Sequence, residues 1–240
     1  MQVKIQNLSK TYKEKQVLQD ISFDIKSGTV CGLLGVNGAG KSTLMKILFG
    51  LISADTGKIF FDGQEKTNNQ LGALIEAPAI YMNLSAFDNL KTKALLFGIS
   101  DKRIHETLEV IGLAETGKKR AGKFSLGMKQ RLGIGMAILT EPQFLILDEP
   151  ISNLDLKFQL ETMKILKNLA KENNLIVITI LHDLNFAISY SDKILFLKNG
   201  KINNFGDTKK IITTSNIKEI FSVDIDIVQF KNKNYIIPLE

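Results

Sequence analysis

The most regular hydrophobic pattern in this chain is a set of short, almost continuously apolar runs. Three of them are present: Val30 to Leu34, Phe144 to Leu147 and Leu175 to Ile180. Such runs are typical of strands that are buried on both faces of a parallel sheet. Between the last two runs, apolar residues recur at helical spacing, at Leu160, Met163, Leu166 and Leu169. The order strand, helix, strand predicts an α/β fold with a mostly parallel sheet.

The segments around these runs follow other patterns. In the first 30 residues apolar and polar positions alternate, which predicts half-buried strands and an N-terminal antiparallel β part. Between residues 76 and 143 the pattern is helical. Ser85 with Asp88 has the spacing of a capping box, and Ile104, Leu108 and Ile111 form an apolar stripe. We therefore expect a helical insert within the sheet-forming part.

The chain is expected to form a single domain with three parts. Residues 1–75 and 144–205 are predicted to form the core, and residues 76–143 the helical subdomain. Residues 206–240, where Val223, Ile225 and Ile227 alternate with acids, are predicted to form a small C-terminal appendage.

Composition narrows the class of protein. With 240 residues, 44% of them apolar and 23% charged, the chain is neither disordered nor collagen-like. The single cysteine, Cys31, excludes an internal disulfide, and no apolar stretch approaches the length of a membrane span. Since the N-terminus also lacks the apolar segment of a signal peptide, we expect a soluble protein in a reducing compartment. The net charge of +6 is dispersed, so we expect no nucleic-acid partner.

A glycine-rich octapeptide follows the first buried run. It reads Gly35-Val36-Asn37-Gly38-Ala39-Gly40-Lys41-Ser42, and Thr43 continues into a helix-like run. It matches the P-loop pattern G-x-x-x-x-G-K-[ST], whose glycines let backbone N–H groups surround phosphates at a helix N-terminus. We predict a nucleotide site in which Lys41 holds the β- and γ-phosphates and Ser42 is a ligand of Mg²⁺. The fold would then be that of a P-loop NTPase with a RecA-like sheet.

The second buried run ends in two acids. A P-loop protein needs a carboxylate at the end of a neighbouring strand to hold the hydrated metal, and Asp148 has that position. Glu149 is a candidate base that orients or deprotonates an attacking water. Asp-Glu at a strand end is a weak signal alone, and it gains weight from the P-loop.

A further candidate phosphate contact lies at the start of a predicted helix, where Ser125 and Gly127 offer a hydroxyl and exposed N–H groups. Considered alone, this serine is better explained as an ordinary N-cap.

Together, these motifs resemble those of the ATP-binding cassette (ABC) ATPases. The P-loop, Ser125 to Arg131, Asp148-Glu149, Ser152 to Asp155 and His182 follow in the family's order over nearly the whole chain. The resemblance implies two bound ATP molecules with Mg²⁺, sandwiched in a head-to-tail dimer of two identical or paired cassettes.

The resemblance also implies individual roles. Tyr12 would stack on adenine, and the helix start at Ser125 and Gly127 would be the signature motif that contacts the γ-phosphate of the opposite subunit. Asp155 would lie in the D-loop, and His182 would be the switch histidine at the γ-phosphate.

Two departures point to a subfamily. The usual signature Leu-Ser-Gly-Gly-Gln is replaced here by Phe-Ser-Leu-Gly-Met at residues 124–128. Glu76 stands where the family normally has glutamine, at the place where the side chain meets Mg²⁺ and the loop couples to the membrane subunit. Both features resemble the subfamily that exports bacitracin and lantibiotics and gives antibiotic resistance. The C-terminal third, from Leu181 onwards, instead resembles ATPases of iron-chelate and vitamin B12 importers.

The resemblance therefore implies an ATPase at the cytoplasmic face of the cell membrane that energises separate integral membrane permease subunits. Export of a peptide antibiotic is the first expectation, and import of an iron chelate or vitamin B12 is the alternative. A non-transport ABC ATPase acting on nucleic acid or the ribosome is a rival of another class, but such proteins usually carry coiled-coil inserts or a second cassette. A GTPase would be expected to carry an Asn-Lys-x-Asp motif, which this sequence lacks.

Overall fold

The computed structural model describes residues 1–65, 71–231 and 233–239. The strands are β1 (Gln2–Tyr12), β2 (Lys15–Lys26), β3 (Val30–Leu34), β4 (Thr56–Phe61), β5 (Gln64–Glu65), β6 (Leu71–Leu74), β7 (Phe144–Leu147), β8 (Ile176–Ile180), β9 (Lys193–Lys198), β10 (Lys201–Asp207), β11 (Ile225–Phe230) and β12 (Lys233–Pro238). The helices are α1 (Lys41–Phe49), α2 (Ala86–Phe97), α3 (Asp101–Val110), α4 (Leu126–Ile138), α5 (Leu156–Glu172), α6 (Leu184–Tyr190), α7 (Thr208–Ile211) and α8 (Thr214–Phe221).

The central sheet has the strand order β10-β9-β3-β8-β7-β6. The five strands from β9 to β6 are parallel, and β10 pairs antiparallel to β9 at one edge. Every residue of β3, β7 and β8 is buried, as the three continuous apolar runs predicted. Both faces of this sheet are therefore covered by other parts of the chain.

A second, antiparallel sheet with the order β2-β1-β4-β5 lies over one face of the central sheet. Alternate residues of β1 and β2, such as Val3, Ile5 and Ile21, enter a common core with β3, β7, β8 and the apolar side of α1. This arrangement confirms the predicted N-terminal antiparallel part. It also holds α1 and the loop before it between the two sheets.

Helices α2, α3 and α4 form the helical insert. The predicted start of α2 is confirmed, because Ser85 is its N-cap and accepts a hydrogen bond from the Asp88 backbone N–H at 3.0 Å. Gly133 of α4 packs against the loop after β6, where a Cβ on this glycine would lie 2.8 Å from Pro78 Cβ. The insert therefore packs directly against the segment that carries Glu76.

The C-terminal hairpin of β11 and β12 packs on α6. The Asn185 side chain accepts a hydrogen bond from the Ile236 N–H at 2.8 Å and donates one to the Ile236 carbonyl at 3.2 Å. The amide side chain thus forms the two hydrogen bonds that a neighbouring strand would form with Ile236. In the described part of the chain, none of the helices is both long enough and apolar enough to cross a lipid bilayer.

Candidate functional site

Four predicted site residues lie just beyond the carboxyl ends of four adjacent parallel strands. Gly35 follows β3, Glu76 follows β6, Asp148 follows β7 and His182 follows β8. These strands are neighbours in the order β3-β8-β7-β6. In open α/β sheets ligands bind in the crevice outside the carboxyl ends of the strands. The topology therefore gathers these residues at the edge of the sheet where a ligand site is expected.

The loop between β3 and α1 has a backbone that only glycine fits at two positions. Gly40 has a φ of 105°, and a Cβ there would lie 2.8 Å from the Val17 carbonyl oxygen. A Cβ on Gly35 would lie 2.2 Å from the Leu197 carbonyl oxygen. The loop is therefore held closely against β2 and β9. Its backbone shape fits the phosphate-binding loop predicted from the sequence.

Lys41 is buried within this loop, with 7% of its surface exposed. Its Nζ donates hydrogen bonds to the carbonyl oxygens of Gly35 at 2.8 Å and Val36 at 3.0 Å. Burial lowers the pKa of the ammonium, and the negative charges of Glu149 and Asp148 act in the opposite direction. An ammonium that is short of water and close to the loop favours an anionic ligand such as a phosphate.

A cleft of about 320 Å³ opens over the loop. It is lined by Lys15, Val17, Asn37, Gly38, Gly40, Lys41, Ser42, Thr43 and Glu149. Ala39, by contrast, is buried behind the loop. Lys15 and Val17 were not predicted as site residues, and the available signal was their position just after Tyr12. Tyr12 pairs with Lys15 at the end of β1, and 46% of its surface is exposed, so its ring is accessible to a planar ligand beside the cleft.

Asp148 lies at the inner edge of the site, with 9% of its surface exposed. Its backbone N–H donates to the Leu74 carbonyl at 2.8 Å, and the Ser42 hydroxyl donates to its carboxylate. Burial and the charge of Glu149 raise the pKa of this carboxyl above its usual range. A hydroxyl and a carboxylate in contact are a donor set that suits Mg²⁺, which takes oxygen ligands and often few from the protein.

Glu76 has a left-handed backbone with a φ of 64°, and its carboxylate Oε1 lies 2.9 Å from the Nζ of Lys46. This ion pair holds the pKa of the Glu76 carboxyl below its usual value. Its charge reaches Asp148, since Glu76 raises the pKa of that residue. Lys46 was not predicted as a site residue. The available signal was its position four residues after Ser42, on the same face of α1.

Glu149 and His182 are in direct contact. His182 Nε2 lies 2.6 Å from Glu149 Oε1, and the Ser152 hydroxyl donates to Glu149 Oε2 at 3.0 Å. The bond to His182 is the main reason that the pKa of Glu149 is lowered. Glu149 also has a φ of 50°, a strained conformation that directs its side chain into the cleft edge. An ionised carboxylate oriented in this way can accept a hydrogen bond from a water molecule and so orient it for attack.

The predicted signature residues lie elsewhere. Ser125 is the N-cap of α4 and accepts the Met128 N–H at 3.2 Å, and Gly127 packs where a Cβ would lie 2.8 Å from Phe158. Asp155 is the exposed N-cap position of α5. None of these three residues lines the cleft over the P-loop of the same chain.

Comparison with known proteins gives consistent matches. Residues 18–152 match the family model described as ABC transporter. The lantibiotic transport ATP-binding protein SrtF of Streptococcus pyogenes is 40% identical over 226 residues, which cover 93% of this chain and 97% of SrtF. The bacitracin transport ATP-binding protein BcrA of Bacillus licheniformis is 38% identical, and the match covers 83% of this chain and 68% of BcrA. The petrobactin import ATP-binding protein YclP of Bacillus subtilis is 35% identical, with 96% and 97% covered.

Solved structures share the fold. The cbiO1 protein of Clostridium perfringens, part of the complex cbiONQ, gives a TM-score of 0.82 at 27% identity, with 90% of this chain and 92% of that chain covered. The dimeric ATP-binding cassette MJ0796 bound to ADP and Pi gives a TM-score of 0.76 at 26% identity. This match covers 86% of this chain and 98% of MJ0796. A metal-chelate type ABC transporter in an inward-facing conformation gives a TM-score of 0.83 at 26% identity. This match covers 99% of this chain and 97% of that chain. These matches confirm the predicted fold class.

Proposed function

Since this chain belongs to the ABC transporter family as one of its ATPases, we propose that it energises the export of a peptide antibiotic of the lantibiotic or bacitracin type. The observation that carries this proposal is the similarity to SrtF, which extends over 93% of the chain. Glu76 at the loop after β6 supports it, because a glutamate there resembles the same exporters.

We propose that the adenine ring of ATP stacks on Tyr12 and that its phosphates lie on the P-loop between Gly35 and Thr43. Lys41 would then exchange its bonds to the Gly35 and Val36 carbonyls for bonds to the β- and γ-phosphates. Ser42 and Asp148 would hold Mg²⁺, with Glu76 as a third oxygen ligand. When bound, Mg²⁺ would neutralise charge on the phosphates.

Glu149 is the proposed base for hydrolysis. The oxygen of a water molecule attacks the γ-phosphorus, the bond to the bridging β–γ oxygen breaks, and Glu149 takes the proton of the water. ADP and inorganic phosphate are the products. His182, whose Nε2 lies 2.6 Å from Glu149 Oε1, would orient the carboxylate and contact the γ-phosphate once ATP enters.

A second cassette is needed to complete this site. Because Ser125, Gly127 and Asp155 do not line the cleft of their own chain, we propose that they meet the nucleotide bound by a partner cassette. The N-terminus of α4 would direct its N–H groups and its dipole at the γ-phosphate. The dimeric form of MJ0796 with ADP and Pi supports this arrangement.

We propose that the helical insert contacts a permease subunit at the cytoplasmic face of the membrane. Three consecutive residues at the end of α2 are largely exposed: Leu95 at 71%, Leu96 at 82% and Phe97 at 62%. They adjoin a groove of about 940 Å³ whose walls include Phe49, Leu51 and Leu139. Exposed apolar surface beside a groove of this size is typical of a site for a partner protein.

Deletion of the coding sequence in its own cell tests the proposal. We expect the inhibitory concentration of bacitracin or of a lantibiotic to fall several-fold, and expression of the unchanged chain to restore it. The Glu149→Gln chain should fail to restore it despite equal expression. Unchanged susceptibility to both classes of antibiotic would contradict the proposed substrate.

Import of an iron chelate is a second candidate, because the C-terminal third resembles importer ATPases. The match to YclP spans 96% of this chain and that to the metal-chelate type transporter spans 99%, similar to the 93% that the match to SrtF spans. The same deletion strain separates the candidates: slow growth when a ferric chelate is the only iron source, with unchanged antibiotic susceptibility, would favour import.

A further inference from the structure

Lys46 lies on α1, one helical turn beyond Ser42. Residues four apart on a helix lie on the same face, so Lys46 faces the side of α1 that carries the Ser42 hydroxyl. Its Nζ donates to Glu76 Oε1 at 2.9 Å and so joins α1 to the loop after β6. The ion pair thus lies next to the oxygen atoms of the proposed metal site.

The charges of Lys46 and Glu76 affect the pKa of Asp148. Glu76 and Lys46 shift the pKa of the Asp148 carboxyl in opposite directions, while Ser42 bonds to that carboxyl directly. Ser42, Asp148, Glu76 and Lys46 therefore form one electrostatic cluster.

We propose that Lys46 is a positioning residue that competes with the divalent cation for the Glu76 carboxylate. This inference rests on the proposed nucleotide and metal site. Lys46 occupies the Oε1 oxygen of this carboxylate. A cation must therefore bind Glu76 through Oε2 beside a positive charge or displace Lys46 from Oε1, and the ammonium opposes both. The Glu76 side chain is 72% exposed, which leaves it room to move. An ion pair this exposed is weak and exchanges readily.

The glutamate at position 76, where the family normally has glutamine, explains why a lysine is needed beside it. A glutamine amide in place of Glu76 would carry no charge and would need no ammonium beside it. A glutamate placed near Asp148 and Glu149 adds a third negative charge to the site, and like charges repel. Lys46 offsets that charge until the cation and nucleotide bind.

A double-mutant cycle on the full-length chain tests this competition. Binding of Mn²⁺, followed by electron paramagnetic resonance in the presence of a non-hydrolysable ATP analogue, is compared in the unchanged chain, Lys46→Met, Glu76→Gln and the double variant. Lys46→Arg, which keeps the ion pair, is the matched control. Binding of a fluorescent ATP analogue without metal is measured separately in every variant.

Lys46→Met is expected to tighten Mn²⁺ binding by about two- to fivefold when Glu76 is present. In the Glu76→Gln background, the same substitution should change the affinity for Mn²⁺ by a factor at least about twofold smaller. The affinity of Lys46→Arg for Mn²⁺ should equal that of the unchanged chain. Equal effects in both backgrounds, or none in either, would overturn the role of Lys46 while leaving the proposed function intact. Failure of the unchanged chain to bind the ATP analogue would overturn both. Should Lys46→Met not fold, Lys46→Gln serves in its place.

Discussion

The P-loop region and the start of α4 differ in how complete a binding site each forms within one chain. At the P-loop, Lys41 and Asp148 are almost fully buried and bonded to neighbouring groups. At the start of α4, Ser125 is exposed, and Leu126 beside it exposes 52% of its surface. The first region is a formed pocket, whereas the second is an open surface. One chain is therefore expected to bind nucleotide and two chains to hydrolyse it.

Glu149→Gln gives the largest expected effect and separates binding from hydrolysis at the formed pocket. Glutamine keeps the size of the side chain but cannot take a proton from water. Phosphate release should fall by about 10²- to 10⁴-fold, while affinity for ATP is unchanged. We expect this variant to form a stable dimer with ATP, detectable by size-exclusion chromatography. Near-normal turnover would remove Glu149 from the proposed role.

Lys41→Ala tests whether the pocket alone binds the phosphates. Two charge-assisted hydrogen bonds to phosphate contribute about 3 kcal/mol, so affinity for a fluorescent ATP analogue should fall by about 100-fold. The control is Lys58→Ala, an exposed lysine on β4 outside the cleft, which should bind normally. Undiminished binding by Lys41→Ala, with the fold intact by circular dichroism, would contradict the proposed phosphate site.

Ser125→Asp sharpens the contrast from the side of α4. Aspartate caps a helix about as well as serine, so stability should change little, but its charge would oppose a phosphate across the dimer interface. ATP hydrolysis should fall by about tenfold or more, while ATP binding to the single chain is unchanged. Ser125→Asn keeps the cap without the charge and should be much less impaired. An equal loss in both variants would point to the serine hydroxyl itself.

Asp148→Asn gives the smallest effect, and it concerns stability without nucleotide. The pKa of Asp148 is raised in the folded chain, so the charged carboxylate destabilises the fold at pH values above that pKa. At pH 7 the variant should melt about 2 to 4 °C higher, corresponding to about 1 kcal/mol. The difference should shrink as the pH falls through the folded pKa, because Asp148 then becomes neutral. A lower melting temperature at pH 7 would contradict the assigned cause.

Much of this contrast could be predicted from the sequence, because it depends on local patterns. The continuous runs at Val30, Phe144 and Leu175 predicted buried parallel strands, and their order placed Asp148 near the P-loop. The cap at Ser85 and the helix start at Ser125 follow from short-range hydrogen bonding, which a few neighbouring residues determine.

The contacts between distant side chains could not be predicted in the same way. The contact of His182 with Glu149 spans 33 residues, and the pair of Lys46 with Glu76 spans 30. A lysine on a helix has no sequence signal that distinguishes a surface charge from one that faces a carboxylate. The attachment of the C-terminal hairpin to α6 through Asn185 was also missed, because an asparagine near a helix start is usually assigned a local role.

The position of Cys31 in β3 has a consequence for redox chemistry. This strand leads directly into the P-loop, and its thiol is fully buried, with burial raising its pKa to about 12. Oxidants and alkylating reagents act on the thiolate, which is almost absent at neutral pH when the pKa is this high. Because the chain has no other cysteine, reagents that modify thiols should leave its ATP site unchanged. A thiol placed anywhere on its surface would then be the only one to react.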